Sequence, residues 1–84
     1  MSNRLYVGNL SFHTTEESLS SAFSAIGEVR ETTIVMDRET GRSRGFGFVA
    51  MADAGTAQRA ISELNGSQLD GRALRVNLAE QRRK

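Results

Sequence analysis

The stretch Arg44-Gly45-Phe46-Gly47-Phe48-Val49-Ala50-Met51 alternates in a way that few folds accommodate. Side chains of a strand point to opposite faces with a period of two. Gly45, Gly47, Val49 and Met51 therefore share one face, and Arg44, Phe46, Phe48 and Ala50 share the other. If Val49 and Met51 pack into a core, a cation and a pair of phenylalanines stand on the opposite side. Contiguous exposed apolar groups of that kind mark interaction surfaces. The strand suits a sheet that is covered on one face and left free on the other.

The rest of the chain supplies such a sheet. Arg4-Leu5-Tyr6-Val7-Gly8 alternates as a first strand, with Leu5 and Val7 on one face and Arg4, Tyr6 and Gly8 on the other. After a polar loop, Thr14-Thr15-Glu16-Glu17 has the spacing of a capping box, and Leu19, Ala22, Phe23 and Ile26 form the apolar stripe of a helix that Gly27 is placed to end. Phe23 belongs to that stripe and is read as core. Val29 to Met36 is rich in β-branched residues and reads as a second strand with Ile34 inward, although the pattern leaves its parity open. Asp37 to Ser43 is expected to be a mobile hairpin loop leading into the octet. Asp53 caps a second helix with Ala57, Ala60, Ile61 and Leu64 as its stripe, and Asn65-Gly66 stops it. A tight turn at Leu69-Asp70-Gly71-Arg72 precedes a last strand, Ala73 to Leu78, with Leu74, Val76 and Leu78 inward and Arg75 and Asn77 outward.

This order is βαββαβ, an α+β ferredoxin-like sandwich in which right-handed crossovers place both helices on one face of a four-stranded antiparallel sheet. Tyr6, Phe46 and Phe48 are left on the uncovered face. The 84 residues suffice for one domain with a modest core, taken as residues 1–80 followed by a basic flexible tail at 81–84. The chain has no Cys and a single histidine, His13, so thiol chemistry and Cys-ligated zinc are excluded, and no cofactor is implied. No apolar run approaches a membrane span, and the strand pattern begins almost at Met1, so a soluble intracellular protein is expected. The net charge of +1 conceals a division. Glu16, Glu17, Asp53 and Glu63 fall in the helical segments, whereas Arg4, Arg42, Arg44, Arg75, Arg82, Arg83 and Lys84 fall on or beside strands and in the tail.

The octet resembles the longer signature of the RNA recognition motif family: seven of its eight positions agree, and the departure, Met51, faces inward. Leu5 to Leu10 resembles the family's shorter signature, with Tyr6 as its aromatic. The resemblance covers residues 4 to 79 and implies that the first and third strands are neighbours at the centre of the sheet. It implies single-stranded RNA as partner, with Tyr6 and Phe48 stacking on successive bases, Phe46 packing on ribose and Arg44 contacting phosphate. Arg4 and Arg42 add cations; Asn9, Arg75 and Asn77 offer hydrogen bonds to base edges, and Ala79 with the tail offers backbone contacts. Gly8 keeps the open face low beside the aromatics, and Gly47 is expected to let a helix approach. The chain is similar to stand-alone bacterial-type or chloroplast-type domains. A monomer acting in RNA chaperoning or post-transcriptional regulation follows, able to take single-stranded DNA in vitro. It is expected in the cytoplasm, with chloroplast or nucleus as the alternative.

Other readings are weaker. A protein-interaction module using the helical face is the main alternative, and an acylphosphatase-like enzyme a third. Ser11-Phe12-His13-Thr14 does not resemble the anion-binding loop the enzyme needs, so no catalysis is expected. Gly45-x-Gly47-x-x-Ala50 matches a dinucleotide fingerprint by letters but lies inside a strand instead of opening a helix. Glu16 and Glu17 are adjacent on a helix and do not face each other. His13 is read as a solvated loop residue.

Overall fold

The computed structural model describes residues 3–79. In chain order it contains β1 (Arg4–Gly8), α1 (Glu16–Ser24), β2 (Val29–Met36), β3 (Ser43–Met51), α2 (Ala54–Leu64), β4 (Gln68–Leu69), β5 (Arg72–Ala73) and β6 (Arg75–Leu78). The tail at 81–84 lies outside the described residues.

Strands β2, β3, β1 and β6 form, in that order, one antiparallel sheet. Leu5, Val7, Val49, Met51 and Val76 point to one face and join Leu19 and Phe23 of α1 and Ala57 and Ala60 of α2 in a single buried cluster. Both helices therefore cover the same face, as the expected ferredoxin-like sandwich requires. Ala22, Ile26, Ile61 and Leu64 pack around the cluster half-buried, so both helical stripes face inward. No helix among the described residues is long and apolar enough to cross a membrane.

The helix ends depart from expectation in detail. The N-cap of α1 is Thr15, whose hydroxyl accepts from the Ser18 backbone N–H at 3.0 Å while the Ser18 side chain serves the Thr15 N–H. The capping box is thus one residue later than the Thr14–Glu17 spacing indicated and uses a serine in place of a glutamate. Glu16, the first residue of α1, reaches across and accepts the Ile34 N–H at 3.0 Å. Gly27 does not end α1 in a left-handed cap, because the helix stops at Ser24 with Ala25 still right-handed. Gly27 instead makes room for α2: a Cβ there would stand 2.5 Å from the Thr56 methyl. Asp53 caps α2 as expected, accepting from the Thr56 N–H at 2.8 Å.

The final strand is also divided. Leu74 interrupts it, and β5 turns away to pair with β4 in a two-residue-per-strand hairpin. Asp70 and Gly71, with φ of 53° and 84°, provide the left-handed pair that such a turn needs. Leu74 and Val76 are buried, Leu78 half-buried, and Arg75 and Asn77 exposed, so the inward and outward assignments hold.

Candidate nucleic-acid interface

Pairing across the sheet sorts the uncovered face into rows. Phe48 of β3 is paired with Tyr6 of β1 and Thr33 of β2, and Tyr6 with Asn77 of β6, giving a row Thr33–Phe48–Tyr6–Asn77. The next row toward the end of the sheet is Phe46–Gly8–Arg75, and on the other side lies Glu31–Ala50–Arg4. The aromatics that the sequence placed on one face are therefore in contact. Ring centroids are 5.7 Å apart for Tyr6–Phe46, 6.1 Å for Tyr6–Phe48 and 6.2 Å for Phe46–Phe48. These separations fall in the range of favourable aromatic pairs, and the mutual support fixes the rings before any ligand arrives.

The glycines of this region have different tasks. A Cβ at Gly8 would lie 2.7 Å from the Tyr6 hydroxyl oxygen and 2.9 Å from its ring, so the absent side chain is what lets the Tyr6 ring lie down over β1. Gly47 does not admit a helix, as had been expected. A Cβ there would collide with the carbonyl oxygen of Thr33 and stand 3.1 Å from the Ile34 Cα, so the close neighbour is the backbone of β2. The ladder is irregular just beyond: Gly47 pairs with Ile34 but Ser43 with Met36. Gly45, at φ +89°, absorbs that irregularity with a backbone conformation that other residues rarely adopt.

The charged residues divide by how they are held. Arg4 places its guanidinium carbon 5.0 Å from the Phe48 ring centroid, a cation–π arrangement over the ring. Arg42, Arg44 and Arg75 are exposed, and their guanidinium groups make no ion pair among the described residues. Glu31 is exposed in the Arg4 row, so the strand face is not uniformly basic. The parity of β2, which the pattern had left open, places it there: the ladder shifts register between Val29 and Glu31.

Asn9 and Ala79 are more committed than their sequence reading implied. Asn9, at φ 60°, donates from its amide to the Ala73 carbonyl at 2.6 Å and accepts from the Arg72 guanidinium at 2.7 Å. The side chain thus braces the end of β1 against β5. The Ala79 N–H extends the ladder by donating to the Arg4 carbonyl at 2.9 Å, so its carbonyl is what remains for a partner. Thr33 joins the face without having been singled out; its register against Phe48 was the missing information. Phe12 and Met36 were also passed over, yet they are 70% and 55% exposed.

Helices on one side of the sheet, and a preformed cluster of aromatic rings beside exposed arginines on the other, define an α+β sandwich with an open aromatic face. The chain belongs to the RNA recognition motif family, whose pattern it matches over residues 5–75. It is 54% identical over 82 residues to glycine-rich RNA-binding protein 4, mitochondrial, of Arabidopsis thaliana, covering 98% of this chain and 60% of the relative. It is 52% identical over 80 residues to small RNA-binding protein 11, chloroplastic, of the same plant, covering 95% of this chain and 55% of the relative. The chain thus spans little more than half the length of these relatives. Among solved structures, the crystal structure of RNA binding protein PG1 superposes with a TM-score of 0.90 at 46% identity, covering 99% of this chain and all of that one. The structure of the Rna15 RRM with bound RNA (GU) superposes with a TM-score of 0.85 at 31% identity, covering 96% of this chain and 86% of that one.

Proposed function

We propose that this chain binds single-stranded RNA on the uncovered face of its sheet, by stacking bases on aromatic rings and contacting phosphates with arginines. The observation that carries this reading is the Tyr6–Phe46–Phe48 cluster, with ring centroids 5.7 to 6.2 Å apart on a face that no described element covers. Unpaired bases present two π faces and free edges, and flat rings flanked by cations complement both. Tyr6 and Phe48, side by side in one row, take successive bases. Phe46, one row further, packs on ribose. A base arriving on Phe48 takes the place of the Arg4 guanidinium, which then turns to phosphate together with Arg42 and Arg44. Arg75 and Asn77 on β6 read base edges, and Asn9 acts mainly by holding the end of β1 in place.

Stacking contributes roughly 1–3 kcal/mol per base, so two or three bases with a few phosphate contacts give micromolar affinity for a single domain. The domain acts as a monomeric binder without catalysis, in RNA chaperoning or post-transcriptional control. A relative named for the chloroplast supports the chloroplast alternative, and neither it nor the one named for the mitochondrion supports a bacterial-type cytoplasm.

Fluorescence-anisotropy titration of short RNAs tests this reading. Phe46→Ala and Phe48→Ala each weaken binding about 5- to 100-fold while thermal unfolding stays cooperative. Variants that bind as tightly as the wild type would remove the sheet face from consideration and favour a protein partner on the helices.

A further inference from the structure

Phe12 and Met36 are the most exposed large apolar side chains among the described residues, and neither belongs to the core or to the aromatic platform. Isolated exposed apolar residues are ordinary, but these two line one groove of about 510 Å³ together with His13, Gly41, Arg42 and Ser43. That size lies within the range of small-ligand sites. We infer that this groove is a further nucleotide subsite, taking a base of the same strand between Phe12 and Met36 as the RNA runs off the sheet, with Arg42 on its phosphate. The inference rests on the RNA-binding reading above and extends it beyond the three platform aromatics.

The groove is continuous with the platform through the backbone. Gly8 pairs with Phe46, and both chains leave the sheet at that end, β1 toward Phe12 and β3 back toward Ser43 and the hairpin. The Leu10 N–H donates to the Gly45 carbonyl at 2.9 Å, tying the two walls together, and Met36 pairs with Ser43. A strand crossing Phe46 toward this end therefore meets the groove next.

The walls are held without a ligand. On one side Thr14 N–H donates to the Ser11 carbonyl at 3.1 Å, His13 N–H to the Ser11 hydroxyl at 3.0 Å, and the Thr14 hydroxyl to Asp70 at 2.7 Å. On the other, Asp37 N–H donates to the Arg42 carbonyl at 2.7 Å and Gly41 N–H to the Asp37 carbonyl at 2.8 Å. A preformed site avoids the ordering cost that a loose loop would incur. The chemistry fits a base: a flat ring on one wall and a polarizable thioether on the other. The charge also fits a phosphate. Arg42 and Arg44 make no ion pair among the described residues; of the nearby acids, Glu16 is turned to the Ile34 N–H and Asp37 to the Glu39 and Thr40 N–H, and Glu39 stands exposed in the hairpin.

The test compares a uridine tetranucleotide with an octanucleotide, titrated against wild type, Phe12→Ala, Met36→Ala and Phe48→Ala. The expected result is that Phe12→Ala and Met36→Ala weaken the octanucleotide about 5- to 50-fold but leave the tetranucleotide unchanged, whereas Phe48→Ala weakens both. In parallel, the Met36 methyl resonance shifts when octanucleotide is added to labelled wild type. If Phe12→Ala and Met36→Ala match wild type on the octanucleotide, or the Met36 methyl does not move while Phe48→Ala still loses binding, the subsite is overturned and the platform reading survives. Equal weakening of both oligomers by Phe12→Ala also overturns a separate subsite. Failure of wild type to bind either oligomer overturns the platform reading itself. Both loop variants are read against their unfolding midpoints, which truncation of exposed side chains should leave near wild type.

Discussion

A methyl group added at Gly47 would be driven into the Thr33 carbonyl, and neither strand can yield without breaking the ladder that both belong to. Gly47→Ala is therefore expected to lower unfolding stability by about 3 kcal/mol, measured by chemical denaturation, a larger loss than its small change in volume implies. One strand position away, the Thr32 hydroxyl is buried on the inward face of β2 without a hydrogen-bond partner among the described residues. Burying an unsatisfied hydroxyl is unfavourable, and valine has nearly the same shape. Thr32→Val should accordingly gain up to about 1 kcal/mol of stability, and a loss would show that the hydroxyl finds a partner in solution. The two substitutions touch the same pair of strands and should shift stability in opposite directions while leaving the aromatic platform in place.

The elements protect their exposed edges with side chains. The sheet ends in β2 on one side and β6 on the other, and unpaired edge N–H groups invite pairing with another chain. Glu16, from the first turn of α1, accepts the Ile34 N–H of β2 at 3.0 Å, and Asn65, the C-cap of α2, accepts the Val76 N–H of β6 at 3.0 Å. Each helix thus occupies one N–H on one edge of the sheet it covers. The α2 N-terminus carries a pH dependence of its own. Hydrogen bonds from the Thr56 backbone and side chain hold the Asp53 carboxyl below its ordinary value of 3.8. A carboxylate whose folded pKa is lowered stabilises the fold above the unfolded pKa, and the contribution is lost as pH falls through the folded one. The difference in Tm between wild type and Asp53→Ala should therefore be full at neutral pH and shrink as the solution is acidified below 3.8. Asp53→Asn keeps a cap without that pH dependence.

At the scale of the molecule, the helices occupy one side of the sheet, and the opposite side carries the aromatics, exposed arginines and the acid Glu31. A net charge of +1 gives no long-range attraction for a polyanion, so phosphate affinity must come from local contacts. With Arg4, Arg42 and Arg44 on phosphates, and about −0.7 per contact on a single strand, log K against log salt should have a slope near −2. Arg44→Ala should reduce that slope by about 0.7 while retaining stacking, a pattern distinct from loss of an aromatic. A slope of zero would place the whole affinity in stacking and remove the arginines from the interface.

Periodicity, with cap and turn residues to punctuate it, determined the βαββαβ order of the main sheet and its helices, the inward set Leu5, Val7, Val49, Met51, Leu74 and Val76, and the stranding of Tyr6, Phe46 and Phe48 on the other face, but not the β4–β5 hairpin. These features follow from a local geometric repeat, since a strand alternates and a helix returns a side chain every three to four residues. The tertiary structure decided what depends on neighbours distant in the chain. It showed that Gly47 accommodates the backbone of β2 instead of a helix, and that Asn9 is bound to Arg72 and Ala73. It also gave β2 a register that sets Thr33 beside Phe48. Phe12 and Met36 lie too far apart in sequence for any periodic pattern to join, and only the closing of loop upon hairpin brings them to one groove. The physical reason is common to all four: a repeat fixes which way a side chain points, but only packing decides what it meets.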